Sequence, residues 1–277
     1  MEPIVSDPNP TARRRSLVVV AVAAVLAAAG VTLLNRTPAE AAISLPPTHP
    51  VFDYQLGGAY DVPAGVDVVS RDRSASPAAG KYNICYVNAF QVQPGEQGQW
   101  DSDLLLRDAQ GNLVIDQDWK EPLLDLRTDQ QRERIAAKVN GWIDGCARAG
   151  YQAIEPDNYD SYTRSKNLLS TADAKAFLKL LADHAHAQEL AIAQKNTLEL
   201  AGDRKAVGLD FAIAEQCGEY NECAGYVNAF GDNVLVIEYT DEGLTKACGG
   251  FGDRLGIVRR DVAVSTPGTA GYVRKTC

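Results

Sequence analysis

The stretch TDQQRERIAAKVNGWIDGCARAGYQAIEPDNYD, residues 128–160, decides the fold. Thr128-Asp129 opens a helical pattern in which Ile135, Val139, Trp142, Ile143 and Cys146 recur on one face, and Gly150 closes it. A short apolar run, Gln152–Glu155, follows at once and leads into Glu155-Pro156-Asp157-Asn158-Tyr159-Asp160. A helix feeding a short apolar strand whose far end carries carboxylates is the repeating unit of a parallel α/β fold.

Outward from this unit, similar runs recur at Val51–Leu56, Tyr82–Val87, Pro122–Leu126, Leu190–Ala193, Phe211–Ala214, Val234–Ile237 and Leu255–Val258. Their apolar character is continuous rather than alternating, as expected of parallel strands buried on both faces. Helical patterns lie between them. Thr171–Gln188 has a capping start and places Ala174, Phe177, Leu178, Leu181 and Ala185 on one face, and Cys223–Phe230 reads as a shorter helix. Eight strands alternating with helices over 51–277 predict a single (β/α)8 TIM barrel. The rival, a doubly wound open sheet, more often carries a Gly-rich phosphate loop after its first strand, and Gly57-Gly58-Ala59-Tyr60 is not one.

Residues 1–41 read as a targeting segment rather than as part of the fold. Arg13, Arg14 and Arg15 precede an apolar run from Leu17 to Leu34, and Ala39-Glu40-Ala41 is an A-x-A cleavage pattern. The run also suits an uncleaved membrane anchor, and in either case the following chain is expected outside the cell. Residues 42–50, with Pro46, Pro47 and Pro50, read as a linker.

The chain has 277 residues and a net charge of −9. Cleavage after Ala41 would remove four Arg (13, 14, 15, 36) and three acids (Glu2, Asp7, Glu40), leaving −10. Such a balance excludes a nucleic-acid binder, which needs a basic footprint, and favours a neutral or cationic partner. All six cysteines lie in the exported part, as disulfides require. Cys217-x5-Cys223 suggests a local clasp, Cys248 and Cys277 a tie on the C-terminus, and Cys85 with Cys146 the remaining pair. No C-x-x-C occurs and there are three histidines, so neither a metal nor another cofactor is expected. His184 and His186 sit at a helix end, where surface or packing roles are expected.

In a barrel, chemistry gathers at the C-terminal ends of the strands. Reading those ends in order gives Gln55, Asn88, Asp125 with Arg127, then Glu155 to Asp160, Gln194-Lys195-Asn196, Glu215-Gln216-Cys217 and Glu238-Tyr239. Several strand ends carry carboxylates, which suits glycoside hydrolysis: one carboxyl donates a proton while a second, ionised, attacks or activates water. Tyr159 and Tyr239 are candidate sugar platforms or rim packing, and Glu155 is a candidate partner for Lys195. No G-x-S-x-G is present for an α/β-hydrolase.

The segments Tyr54-Gln55-Leu56, Ile84-Cys85-Tyr86, Leu124-Asp125-Leu126-Arg127, Ile154 to Asp160, Gln194-Lys195-Asn196, Phe211 to Cys217 and Val236-Ile237-Glu238-Tyr239, in that order, resemble glycoside hydrolase family 114, the endo-α-1,4-polygalactosaminidase-like barrels. The resemblance covers roughly residues 51–277 and implies a TIM barrel that cleaves α-1,4-linked galactosamine polymers internally; a monomer is expected. It places the catalytic pair on Asp157 and Glu215, by analogy the nucleophile and the acid/base of a retaining reaction. It leaves Glu155, Asn158, Tyr159, Lys195, Asn196, Glu238, Tyr239, Gln55 and Asp125 to bind the sugar or tune the pair. Two departures stand at the expected rim. Val87-Asn88-Ala89-Phe90 replaces a Ser-Ala-Gly type sequence, and Gln194 replaces an apolar residue. The alternatives are a non-catalytic glycan-binding barrel and a metal-assisted deacetylase, the latter disfavoured by the lack of site histidines.

Overall fold

A computed structural model describes residues 43–277; the targeting segment read at 1–41 lies outside them. The strands are β1 (Phe52–Gln55), β2 (Val68–Asp72), β3 (Tyr82–Asn88), β4 (Ala153–Asp157), β5 (Ala191–Lys195), β6 (Phe211–Glu215), β7 (Val234–Glu238), β8 (Gly256–Arg260) and β9 (Arg274–Thr276). The helices are α1 (Asp129–Ala149), α2 (Thr171–Ala187), α3 (Arg204–Val207), α4 (Cys223–Phe230) and α5 (Asp241–Phe251). β1 to β8 run parallel in sequence order and curl into a nearly closed TIM-like barrel.

Local signals set the helix ends. The Thr128 hydroxyl caps α1 by accepting the Gln131 N–H, and Gly150 leaves it in the left-handed region at φ 93°. Ser170 and Asp173 form a capping box on α2. The expected helices 128–149, 171–188 and 223–230 therefore appear almost to the residue. α5, capped by Thr240, was not foreseen, although Leu244, Ala247, Cys248 and Phe251 stand at helical spacing.

Two strand assignments change. Pro122–Leu126 is not a barrel strand. It makes isolated antiparallel bridges with Ile115, Gln91 and Leu105 in the long connection from β3 to α1. Leu123, Leu124 and Leu126 are apolar because they cover the outer wall of the barrel. The true second strand is Val68–Asp72, whose Ser70 and Arg71 break the apolar run that marks the others. One strand is lost and one gained, so the later strands keep their ordinals. No helix joins β1 to β2 or β2 to β3 among the described residues.

Period-two alternation divides every strand between two cores. Phe52, Tyr54, Val68, Ile84, Ala153, Ala191, Ala193, Phe211, Ile213, Leu235, Ile237 and Val258 fill the barrel. Val87, Ile154, Ile192, Ala212, Ala214, Val234 and Val236 face the helices. Residues 43–50 lack regular structure yet dock on the barrel: Ile43 packs on the interior cluster, Tyr82 donates to the Ser44 carbonyl at 2.6 Å, and Pro50 lies against Gly256. At the seam, β9 pairs antiparallel with β8, and Arg274 donates across to Asp53 at 2.9 Å and the Phe52 carbonyl at 3.3 Å on β1.

The three disulfides are Cys85–Cys146, Cys217–Cys223 and Cys248–Cys277. They join residues 61, 6 and 29 apart in sequence. Loop-closure entropy ranks their removal by Cys→Ala pairs at roughly 4, 2 and 4 kcal/mol respectively. Denaturant unfolding of the three double variants should show the Cys217–Cys223 pair as the mildest loss.

Candidate active site

The barrel interior changes character at the C-terminal ends of its strands. In β4, Ala153 is followed on the same face by Glu155 and Asp157; in β5, Ala191 and Ala193 by Lys195; in β6, Phe211 and Ile213 by Glu215. Past the end of β7, Tyr239 continues the face of Leu235 and Ile237. Strand parity thus turns the apolar bore into a charged mouth.

Lys195 is the hub. Its side chain is 1 % exposed, and Nζ lies 2.9 Å from Glu155 Oε1, 3.6 Å from Asp157 Oδ1 and 3.5 Å from Glu215 Oε2. Nζ also donates to the Tyr54 hydroxyl at 2.9 Å. Burial works to lower the lysine pKa, but Asp157, Glu155 and Glu215 together outweigh it and hold the ammonium well above its ordinary range. Glu155 is fully buried and takes donors from the hydroxyls of Tyr54 at 2.7 Å and Ser70 at 2.6 Å. Burial raises its pKa, and Lys195 opposes the rise.

Asp157 accepts the Tyr86 hydroxyl on Oδ2 at 2.8 Å and the Asn158 N–H on Oδ1 at 2.8 Å. Glu215 accepts the Tyr239 hydroxyl on Oε1 and the Asn196 amide on Oε2 at 2.9 Å. The Glu215 N–H donates back to Asn196 Oδ1 at 2.8 Å. Burial, then the adjacent carboxylates, drive the Tyr86 and Tyr239 pKa values far up, so both hydroxyls keep their protons and remain donors. All three strand ends turn through left-handed non-glycine residues: Asn158 at φ 69°, Asn196 at 49° with Thr197 at 57°, and Gln216 at 58°. Such conformations persist only where surrounding bonds over-determine them. Gln194, one of the two departures noted in the sequence, supplies part of that restraint by donating to the Asn196 and Thr197 carbonyls at 3.0 and 2.8 Å.

Of the expected site residues, Asp157, Glu215, Glu155, Lys195, Asn158, Asn196 and Tyr239 converge here. Four others do not. Glu238 has the parity of Val234 and Val236, so it points out of the bore. It accepts the Gly218 N–H at 2.6 Å and lies where any side chain at Gly243 would collide with it. It braces the turn beyond Glu215 against α5. Tyr159 is 1 % exposed and packs on Phe90 at 5.8 Å between barrel and helices. Gln55 is spent on Asp53 at 2.8 Å and Arg71 at 2.9 Å, in the polar network at the seam. Asp125 forms a two-point pair with Arg127 at 2.8 and 2.6 Å in the β3–α1 connection, with no bond to the Lys195 cluster among the described residues. A strand end was identified from sequence in each case except Asp125, and the face was not.

Tyr54, Ser70 and Tyr86 were missed. Tyr54 and Tyr86 share parity with Phe52 and Ile84, which was the available signal; Ser70 sits on the strand that was not seen. His184 and His186 pair with Asp144 at 2.7 Å and Asp210 at 2.9 Å, far from any strand end that carries the cluster. Among the described residues, the group spaced to hold a metal is Cys217, Cys223 and Glu238, and its two sulfurs are bonded to each other.

Tyr239 and Tyr159 separate rim from core by experiment. Tyr239→Phe removes a donor to a charged group and should lower kcat about 10- to 100-fold with KM little changed. Tyr159→Phe deletes a hydroxyl that has no partner and should leave both constants in place.

A parallel β/α barrel that holds three carboxyl groups at its C-terminal mouth around one buried ammonium has the groups that barrel glycoside hydrolysis uses. The chain belongs to glycoside-hydrolase family GH114, whose family model matches residues 34–277. Solved structures share the fold. The Aspergillus fumigatus protein Ega3, in complex with galactosamine, superposes with a TM-score of 0.69 at 21 % identity, covering 85 % of this chain and 98 % of that one. The glycoside hydrolase domain of PelA from Pseudomonas aeruginosa gives 0.53 at 17 % identity, covering 79 % and 97 %. No curated protein sequence matches the chain.

Proposed function

We propose that this glycoside hydrolase is exported and cleaves α-1,4-linked galactosamine-containing polysaccharide internally, through Asp157 and Glu215. The observation that carries the reading is the Lys195 hub, which gathers the two family motif acids on one ammonium. Family membership supports the substrate class, as does the galactosamine bound to the related Ega3. The charge of the mouth agrees: with Glu215 protonated for its acid role, Glu155 and Asp157 still outnumber the single ammonium of Lys195, a surplus of negative charge that suits a sugar bearing a free amine. The disulfides suit an oxidising compartment.

In this reading Asp157 attacks the anomeric carbon while Glu215 gives its proton to the departing glycosidic oxygen. Glu215 then takes a proton from water, which displaces Asp157 and restores both groups. The spacing favours this retaining course. Both acids have an oxygen within 3.6 Å of one nitrogen, so those oxygens are at most about 7 Å apart, below most of the inverting range. Lys195 holds the two carboxylates near each other, and Tyr86, Asn158, Tyr239 and Asn196 fix their orientation. Arrangement of the first shell before substrate arrives lowers the cost of reaching the transition state.

The test is release of reducing ends from purified α-1,4-galactosamine polymer, with the anomer formed first read by proton NMR. Release of the α anomer supports the reading. Release of the β anomer keeps the reaction and overturns retention. Binding without release would support a glycan-binding barrel instead.

A further inference from the structure

We propose that Glu121 is a specificity-determining residue that binds the ammonium of an amino sugar adjacent to the cleavage point; this deepens the substrate reading above and rests on it. Glu121 lies in the β3–α1 connection and is 8 % exposed. Its Oε2 accepts the Asn88 amide at 2.8 Å. Asn88 ends β3 in register with Asp157, and its Oδ1 accepts from Asn158 at 2.9 Å. Glu121 is therefore joined to Asp157 through the side-chain amides of Asn88 and Asn158 and the Asn158 backbone N–H.

The decisive feature is its charge balance. The other buried or half-buried acids beside it each have a cation. Asp116 pairs with Arg164 at 2.7 Å, and Glu155, Asp157 and Glu215 share Lys195. Glu121 has no ion-pair partner among the described residues. A nearly buried carboxylate without a cation must either hold a proton or await a positive ligand. Burial raises its pKa to about 7; the Asn88 amide and Arg164 oppose this, while Asp157 and Asp116 add to it. An incoming ammonium would supply the missing charge, and a neutral acetamide would not.

The loop that carries Glu121 is held by its own hydrogen bonds. The Asp116 N–H donates to the Glu121 carbonyl at 2.8 Å, closing its base. Asp116 Oδ1 accepts the N–H groups of Asp118 at 2.8 Å and Trp119 at 3.3 Å. The tip then presents Trp119, 57 % exposed, an aromatic face at the disposal of the apolar face of a sugar or of its cation.

The test measures binding by calorimetry in the inactive Asp157→Asn protein, with and without Glu121→Gln. The probes are α-1,4-galactosamine oligomers, fully deacetylated or fully N-acetylated. Loss of a charge-assisted contact should weaken the deacetylated oligomer about tenfold or more and leave the acetylated one within about threefold. Equal weakening of both, or of neither, overturns the assignment while leaving the substrate class standing. If the Asp157→Asn protein binds neither oligomer, the substrate class itself has failed and the subsite falls with it. Thermal unfolding of each variant confirms that binding is measured on folded protein.

Discussion

Replacing Asp157 by Asn or Glu215 by Gln should lower kcat on the galactosamine polymer by about a thousandfold or more, with KM changed only a few-fold. Each substitution keeps the shape of its side chain and most of its hydrogen bonds. The amide oxygen introduced by Asp157→Asn would still accept from the Tyr86 hydroxyl, and the one introduced by Glu215→Gln from the Tyr239 hydroxyl. What is lost is the nucleophile in one case and the transferable proton in the other. The two differ in a second readout. With Asp157→Asn no glycosyl intermediate can form on the residue. With Glu215→Gln a substrate bearing a good leaving group should still load Asp157 and then stall, visible as a burst followed by a slow phase. Full activity in either variant would remove that residue from the pair.

Lys195→Met should abolish activity and also destabilise the fold, by on the order of 3–5 kcal/mol at neutral pH. The lysine is buried among three carboxylates, and its removal leaves them without a counter-charge. The pH dependence follows from the direction of the Glu155 shift. Burial already raises that pKa and Lys195 opposes the rise, so the variant's folded state binds a proton more tightly than the unfolded chain does. Stability of the variant should therefore fall as pH rises from about 4.5 and recover on acidification. Adding Glu155→Gln should restore part of the stability and none of the activity. Denaturant midpoints across pH, beside rates, check both halves. A single variant with unchanged stability at pH 7 would show that the lysine is not the counter-ion its distances describe.

The sequence carried most of the fold because the signals were local. Thr128, Gly150, Ser170 and Asp173 announce helix ends through their own side chains or backbone freedom. The runs at Leu190–Ala193, Phe211–Ala214 and Val234–Ile237 are apolar on both faces because both faces are buried. Val68–Asp72 escaped because polar networks reach into it: Ser70 serves Glu155 in the site and Arg71 serves Gln55 at the seam. Pro122–Leu126 misled for the opposite reason, since residues that plaster the outside of a barrel are as apolar as those that build it.

The same distinction governs the site. That acids, an amine and amides stand at the ends of β4, β5 and β6 is written in the chain, and so are the six cysteines in their three pairs. Which of the acids share a pocket is decided by strand parity and by register between strands. Glu215 and Glu238 both end a strand after four apolar or small residues. Glu215 has the parity of the residues that line the bore, and Glu238 the parity of those that face the helices. Glu121, remote from every strand end, gains its place only because a long connection folds back over the end of β3. Composition and local pattern therefore determined the kind of barrel and the stock of charged groups at its mouth. Only the curled sheet, which fixes the inward face of every strand, decided that Asp157 and Glu215 meet on Lys195.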